Sequence, residues 1–181
     1  MSDGVKGLIV EKFEELARAK PIDRITVTEL VKSCGISRQT FYYHYQDMLD
    51  VVETALRRAM DELQARCRAA ATLEEALRLW LSLSLDSGSL LRRLVNTRHP
   101  ERIHEMLRRT VHACFQGMLR ALAPWPGLPD DDQETALSFC TYGMVGVLID
   151  ASRTQHPDVD RLAQQLRRLL SAGLHAPPAC P

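Results

Sequence analysis

The chain has 181 residues, enough for one ordinary domain or two small ones with a real core. Hydrophobic residues make up 45% and charged residues 25%, a balance that excludes a disordered or fibrous chain. Lys+Arg and Asp+Glu both number 23, so the whole chain offers no electrostatic case for nucleic acid, and any such case must rest on a local patch.

Val5, Leu8, Ile9, Phe13, Leu16 and Ala17 recur at helical spacing and predict a first amphipathic helix ending before Pro21. Thr28 to Ser33 predicts a short second helix, interrupted at Gly35. Ser37 can cap a third, running to about Tyr43. Asp47 is the next cap candidate, and Leu49, Val52, Leu56, Met60 and Leu63 mark a long fourth helix.

Thr72 with Glu75 has the spacing of a capping box and opens a helix through Leu77, Trp80, Leu81 and Leu85. Ser87-Gly88-Ser89 breaks it, and Leu90 to Val95 is a short helix. Ile103, Leu107, Val111, Phe115, Met118 and Leu122 give a long amphipathic one. The run Pro124-Trp125-Pro126-Gly127-Leu128-Pro129 ends it, because proline cannot sit in a helix interior. Asp130, Asp131 and Asp132 favour the next helix N-terminus, and that helix runs to about Gln155. The last spans roughly 158–172. The expectation is an all-α fold of about nine helices. An N-terminal three-helix unit, residues 1–46, is joined by a long helix to a C-terminal bundle within 47–175, and 176–181 form a disordered tail.

Residues 27–45 have the form of a helix-turn-helix, with Thr26 extending its outer edge. Val27, Leu30 and Val31 bury the inner face of the first helix. Gly35 permits a left-handed turn, Ile36 plugs the core, Ser37 caps, and Phe41 points inward. Arg38, Gln39, Thr40, Tyr42, Tyr43 and His44 are left outward, and three exposed tyrosines with a histidine are hard to justify as solvation alone. Arg24, Lys32 and Arg38 face a single acid, Glu29, so the neutral chain carries a local positive, hydroxyl-rich patch suited to phosphates and base edges. A solvated helical hairpin is the alternative.

This segment resembles the DNA-binding domain of the TetR/AcrR family of regulators over about residues 5–50. The match runs through Thr26, Cys34-Gly35-Ile36-Ser37, Thr40, Phe41, Tyr42, His44 and Tyr45. The run Arg38 to Tyr45 is most similar to a subgroup that includes regulators of dihydroxyacetone kinase operons. The resemblance implies that Thr26, Ser37, Thr40, Tyr42 and His44 meet phosphates. It implies that Thr28, Arg38, Gln39 and Tyr43 read bases in the major groove. It also implies a homodimer on a palindromic operator, an unknown small-molecule effector, and a ligand-responsive repressor, with an activator or a helical binding module without specific DNA binding as alternatives. Many members carry a lysine near the start of the fourth helix; Met48 stands there, which predicts weaker and less salt-dependent binding unless helix amides hold the phosphate.

Residues 136–151 are apolar nearly all round, and such a helix must be covered on every side. Gly143, Gly146, Val147, Leu162, Leu166 and Leu169 are therefore candidate dimer contacts. Trp80, Ser84, Met106, Cys114, Met118 and Tyr142 are candidate effector-pocket residues, although core packing would account for each alone.

His99, His104 and His112 are spaced for no single helical face, so no metal is expected. The cysteines, Cys34, Cys67, Cys114, Cys140 and Cys180, are scattered without a C-x-x-C and read as reduced thiols, mostly buried, with a redox sensor as the alternative. No Gly-rich phosphate loop or G-x-S-x-G elbow is present, so no enzyme and no cofactor are expected. No apolar run of about 18 residues stands out, and the first twelve residues lack a signal-peptide core, so the expected location is cytoplasmic and no membrane is expected as a partner.

Overall fold

Pro21 ends the first helix, as its missing N–H requires, and a single 3₁₀ turn over Ile22–Arg24 follows it. The computed structural model describes residues 2–86, 89–95, 100–122 and 128–172. Among these there are nine α-helices and no strand: α1 Ser2–Ala19, α2 Val27–Cys34, α3 Arg38–His44, α4 Met48–Cys67, α5 Leu73–Leu85, α6 Leu90–Val95, α7 Pro100–Leu122, α8 Asp130–Ser152 and α9 Val159–Ala172. The chain is therefore all-α as expected. The expected breaks at Ser87-Gly88 and within 124–127, and the tail 176–181, lie outside the described residues.

The helix starts are chemically specified. The Thr72 hydroxyl accepts from the Glu75 amide at 3.1 Å, and the Glu75 carboxylate returns to the Ala71 amide at 3.0 Å. The Asp47 carboxylate accepts from the amides of Leu49 at 2.7 Å and Asp50 at 3.1 Å.

One continuous core runs through the molecule. Ile9, Phe13, Leu30 and Phe41 are fully buried and join α1, α2 and α3 to Val51, Ala55 and Leu56 of α4. Further along, Leu77, Trp80, Leu81, Leu107, Phe115 and Leu148 fill the bundle, with the Trp80 and Phe115 rings edge-to-face at 5.7 Å. In that bundle α5 packs on α9, α7 on α8, and α4 on both α5 and α7.

The all-round apolar helix is α8, and the fold covers only part of it. Leu137, Cys140, Thr141, Met144, Val145 and Leu148 are buried, while Phe139 is 74% and Tyr142 62% exposed. The expectation that no run reaches membrane length needs correction here. By length and composition α8 could cross a bilayer, but half of that stretch is buried inside the bundle.

Candidate nucleic-acid interface

The turn between α2 and α3 is built locally. Thr26 caps α2 by accepting from the Glu29 amide at 3.3 Å. Gly35 takes the left-handed conformation, with φ 66°, that returns the chain after α2. Its amide and that of Ile36 donate to the Lys32 and Val31 carbonyls, which would otherwise be orphaned at the helix end. Ser37 then caps α3, accepting from the Thr40 amide at 3.0 Å, with its hydroxyl 2.8 Å from that of Thr40.

Phe41 anchors the unit inward with no exposure. Opposite it stands a continuous outer surface. Tyr43 is 80% and Tyr42 54% exposed, and Arg38, Gln39, Ser37, Thr26 and Thr28 are exposed beside them. Thr40 and His44 are half-buried at its edges. The Arg38 guanidinium donates to the Thr28 hydroxyl at 3.1 Å, so two residues expected to read bases are tied together across the two helices. The Tyr43 and His44 rings meet edge-on at 5.0 Å. All nine candidate DNA-contacting residues therefore belong to one compact unit.

Two expectations about this surface change. Only two of its three tyrosines are exposed: Tyr45 is 3% exposed, its ring stacked near Phe41 and under the Lys6 ammonium, and its hydroxyl donates to the Lys6 carbonyl at 3.3 Å. It fastens α3 to α1. The start of α4 is also less available to a phosphate than its amides suggest, because Asp47 takes two of them and Asp50 takes the Gln46 amide at 2.8 Å. Met48 is half-buried and packs on the core.

Electrostatically, the patch is more positive than its composition. Glu29, its single acid, is held by Lys20 in an ion pair. Arg24, Lys32 and Arg38 are exposed, and no acidic partner is recorded for them among the described residues.

The candidate effector residues separate into two groups. Trp80, Ser84, Met106, Cys114 and Met118 are all buried in the bundle core. Trp80 Nε1 and Ser84 Oγ are buried with no hydrogen-bond partner among the described residues. Ser84 lines a cleft of about 180 Å³ between α4, α5 and α6, and Cys114 lines one of about 270 Å³ between α4 and α7. Met60 borders both. Tyr142 does not belong with them. Helical geometry turns it away from the buried Thr141 and Met144 to the outer face of α8, under the Arg108 guanidinium at 5.7 Å.

That outer face is where the candidate dimer residues gather. Gly143 and Gly146 are exposed, and a methyl group added at either would touch nothing. Phe139, missed by the sequence reading, lies on the same stripe at i, i+4 and i+7 spacing with Gly143 and Gly146. Its signal was available: an aromatic residue one turn before two glycines on an all-apolar helix. On α9, Leu169 is 68% exposed and Leu162 half-buried, and with Val147 they border a shallow apolar groove of about 370 Å³. Leu166 is 8% exposed and already committed to the chain's own core.

The histidines do not converge. His112 lies 3.7 Å from Glu134 as an α7–α8 pair, and His99 is outside the described residues. Burial pushes the thiols of Cys67 and Cys140 up to about 11 and that of Cys114 up to about 12. Such thiols hold their protons at neutral pH, which disfavours the reactive thiolate a redox sensor needs. Cys180 lies outside the described residues.

Residues 9–55 match the family model described as bacterial regulatory proteins, tetR family. Among solved structures, a TetR transcriptional regulator from Rhodococcus sp. RHA1 superposes with a TM-score of 0.69 at 18% identity, covering 96% of this chain and 100% of that one. The dihydroxyacetone kinase operon activator DhaS superposes with a TM-score of 0.66 at 14% identity, covering 94% and 96%. The regulator FadR from Bacillus subtilis, solved in complex with stearoyl-CoA, gives 0.54 at 16% identity, covering 93% and 98%. At these identities the likeness is one of fold. No curated protein matches the chain.

Proposed function

We propose that this chain, a member of the tetR family of bacterial regulatory proteins through residues 9–55, is a ligand-responsive transcriptional repressor that binds a palindromic operator as a homodimer. It works in the cytoplasm, where its DNA is. The observation that carries the reading is the α2–α3 surface. Arg38, bound to Thr28 at 3.1 Å, stands with Gln39 and Tyr43 on one exposed face, ringed by the hydroxyls of Thr26, Ser37, Thr40 and Tyr42. Guanidinium and amide groups suit guanine and adenine edges, and the ringing hydroxyls suit phosphate oxygens.

The α8–α9 face supports the dimer. Phe139 and Tyr142 stand in water on the same helix as two glycines that permit close helix approach, Leu169 is exposed on α9, and a second copy of the same face covers them. The chain divides its labour accordingly, with 1–46 for DNA and 47–175 for effector and partner. The effector enters the bundle around Trp80, Ser84, Met106, Cys114 and Met118. Both clefts beside Met60 are smaller than a usual ligand site, and a methionine is the side chain best able to yield between them. A bound ligand favours one bundle arrangement and so changes how the two recognition helices are spaced. Activation is the second reading, favoured by the fold likeness to an operon activator.

A band-shift assay on the promoter of the protein's own gene, at physiological salt, tests the central claim. Specific binding is expected, and it is lost in the Arg38→Ala/Tyr43→Ala variant with far-UV circular dichroism unchanged. Failure to select any duplex from a random pool would overturn it.

A further inference from the structure

Glycine is the poorest helix former after proline, because its backbone loses the most freedom on folding. Gly143 and Gly146, in the interior of α8, therefore need a reason. The chain's own fold supplies none. Among the described glycines only Gly35 takes a positive φ, and a methyl group at 143 or 146 would meet nothing. What a bare helix backbone offers is close approach to a group from outside the chain.

At about 100° per residue, Phe139, Tyr142, Gly143 and Gly146 share one stripe roughly 100° wide. All four are exposed. The Tyr142 ring is already steadied: the Arg108 guanidinium lies over it at 5.7 Å, and Glu105 holds Arg108 at 2.6 Å. The stripe thus carries two rings and two gaps, in equal number.

The order of these residues has a symmetry of its own. Phe139 and Gly146 share a midpoint with Tyr142 and Gly143, and it falls between Tyr142 and Gly143. A two-fold axis through that point crosses α8 with its copy in antiparallel sense. It sets Phe139 over the partner's Gly146 and Tyr142 over the partner's Gly143, and each contact occurs twice. No other placement matches both pairs. With the axis at Gly143, Phe139 meets the partner's Val147. With the axis midway between Gly143 and Gly146, it meets the partner's Asp150, and a carboxylate faces the ring.

Charge at the two ends of the helix fits the same axis. Asp132 in its first turn and Arg153 at its C-cap also share that midpoint, and both are exposed. Arg153 is 72% exposed and only loosely near Asp150, at 3.9 Å, so it is available to the partner's Asp132. Rings over glycines at the centre and opposite charges at the rim are what a self-complementary patch requires.

We infer that α8 sets the partner and the register of the dimer: the rings of Phe139 and Tyr142 seat on the glycines of a second copy, with Asp132 and Arg153 closing the ends. The inference rests on the homodimer reading and goes beyond it by fixing which residues meet. It also gives the two glycines their role, as the floor on which the partner's rings rest.

The test is made on the full chain by disulfide capture and by exchange of ring and gap. Tyr142→Cys lies beside the axis and should cross-link to its own copy under mild oxidation. Phe139→Cys and Gly146→Cys should each fail to do so alone, because residue 139 and its own copy are separated by seven residues, about 10.5 Å along the helix, beyond disulfide reach. Mixed in equal amounts, those two variants should cross-link to each other. Wild-type chain treated in the same way gives the background from the native cysteines. Gly146→Phe should weaken the dimer about a hundredfold, and Phe139→Gly/Gly146→Phe, which exchanges ring and gap, should restore most of that loss. Circular dichroism checks that the helices remain; if a variant loses them, the cross-links decide. A wild-type dimer in which Phe139→Cys pairs with itself, or in which the mixed variants do not pair, would overturn the register and leave the dimer reading standing. A wild-type chain that is monomeric by light scattering at micromolar concentration would overturn both.

Discussion

Two faces of this molecule leave large aromatic side chains in water, and their neighbours differ completely. On α2–α3, Tyr42 and Tyr43 stand among Arg38, Thr28, Gln39 and the exposed cations Arg24 and Lys32. On α8, Phe139 and Tyr142 stand exposed along the chain from Gly143 and Gly146, and Leu169 of α9 is exposed where it borders an apolar groove with Val147 and Leu162. Exposure alone is the same signal in both places. The neighbours decide the partner: hydroxyls and guanidinium groups keep their hydration until a phosphate replaces it, whereas glycines and aliphatic groups gain only when water is excluded. On the proposed reading, the first face takes nucleic acid and the second a helix of another subunit.

Phe139→Glu should separate the two faces most sharply. A carboxylate buried without a partner at an interface costs about 3–5 kcal/mol, roughly a hundredfold or more in dissociation constant. Light scattering should then report a monomer at micromolar concentration, with helical content intact because Phe139 makes little of the core. A dimer of unchanged strength would remove this face from consideration.

Arg38→Ala comes next and acts on the other face. Loss of one bidentate base contact costs about 1–3 kcal/mol and relaxes preference at one base position. Titration against single-base operator variants measures it; an equal loss on every sequence would reassign Arg38 to phosphate. The dimer mass should stay unchanged, which is what makes the comparison clean.

The buried thiols give a control that touches neither face. Cys67, Cys114 and Cys140 have folded values raised by burial to about 11, 12 and 11 from an ordinary 9.0. A raised value means the folded state keeps the proton longer than the unfolded chain does. Their contribution is therefore whole below pH 9 and is lost as pH rises from there toward 11–12, with a slope of at most about 1.4 kcal/mol per pH unit for each thiol. Urea midpoints at pH 8 and 10 should fall accordingly, and the fall should shrink in Cys114→Ala compared with its own midpoint at pH 8.

The smallest effect expected is at Met48. Met48→Lys places an ammonium near the start of α4, where Asp47 and Asp50 already occupy amides at 2.7–3.1 Å. DNA affinity should rise modestly, and the plot of log affinity against log salt should steepen by about 0.9. An unchanged slope would show that the phosphate backbone does not pass this position.

Local chemistry fixed much of this molecule before any tertiary contact. Pro21, Gly35, Ser37, Asp47 and Thr72 mark helix ends because a missing N–H, a left-handed φ or a capping oxygen acts within four residues. The helical count and the helix-turn-helix unit followed from those signals and from apolar spacing. What tertiary structure decided lies where periodicity is silent. In α8 every face is apolar, so only the packing of α5, α6 and α7 against it shows that Thr141 turns inward and Tyr142 outward. Tyr45 reads as one more polar aromatic until α1 closes over it. Arg93 reads as one of many surface arginines until the fold brings it to carbonyls 75 and 76 residues away in sequence. The physical reason is common to all three. A helix signal is written in a residue's nearest neighbours, but burial and long-range hydrogen bonds depend on elements far along the chain, and only the assembled fold brings those together.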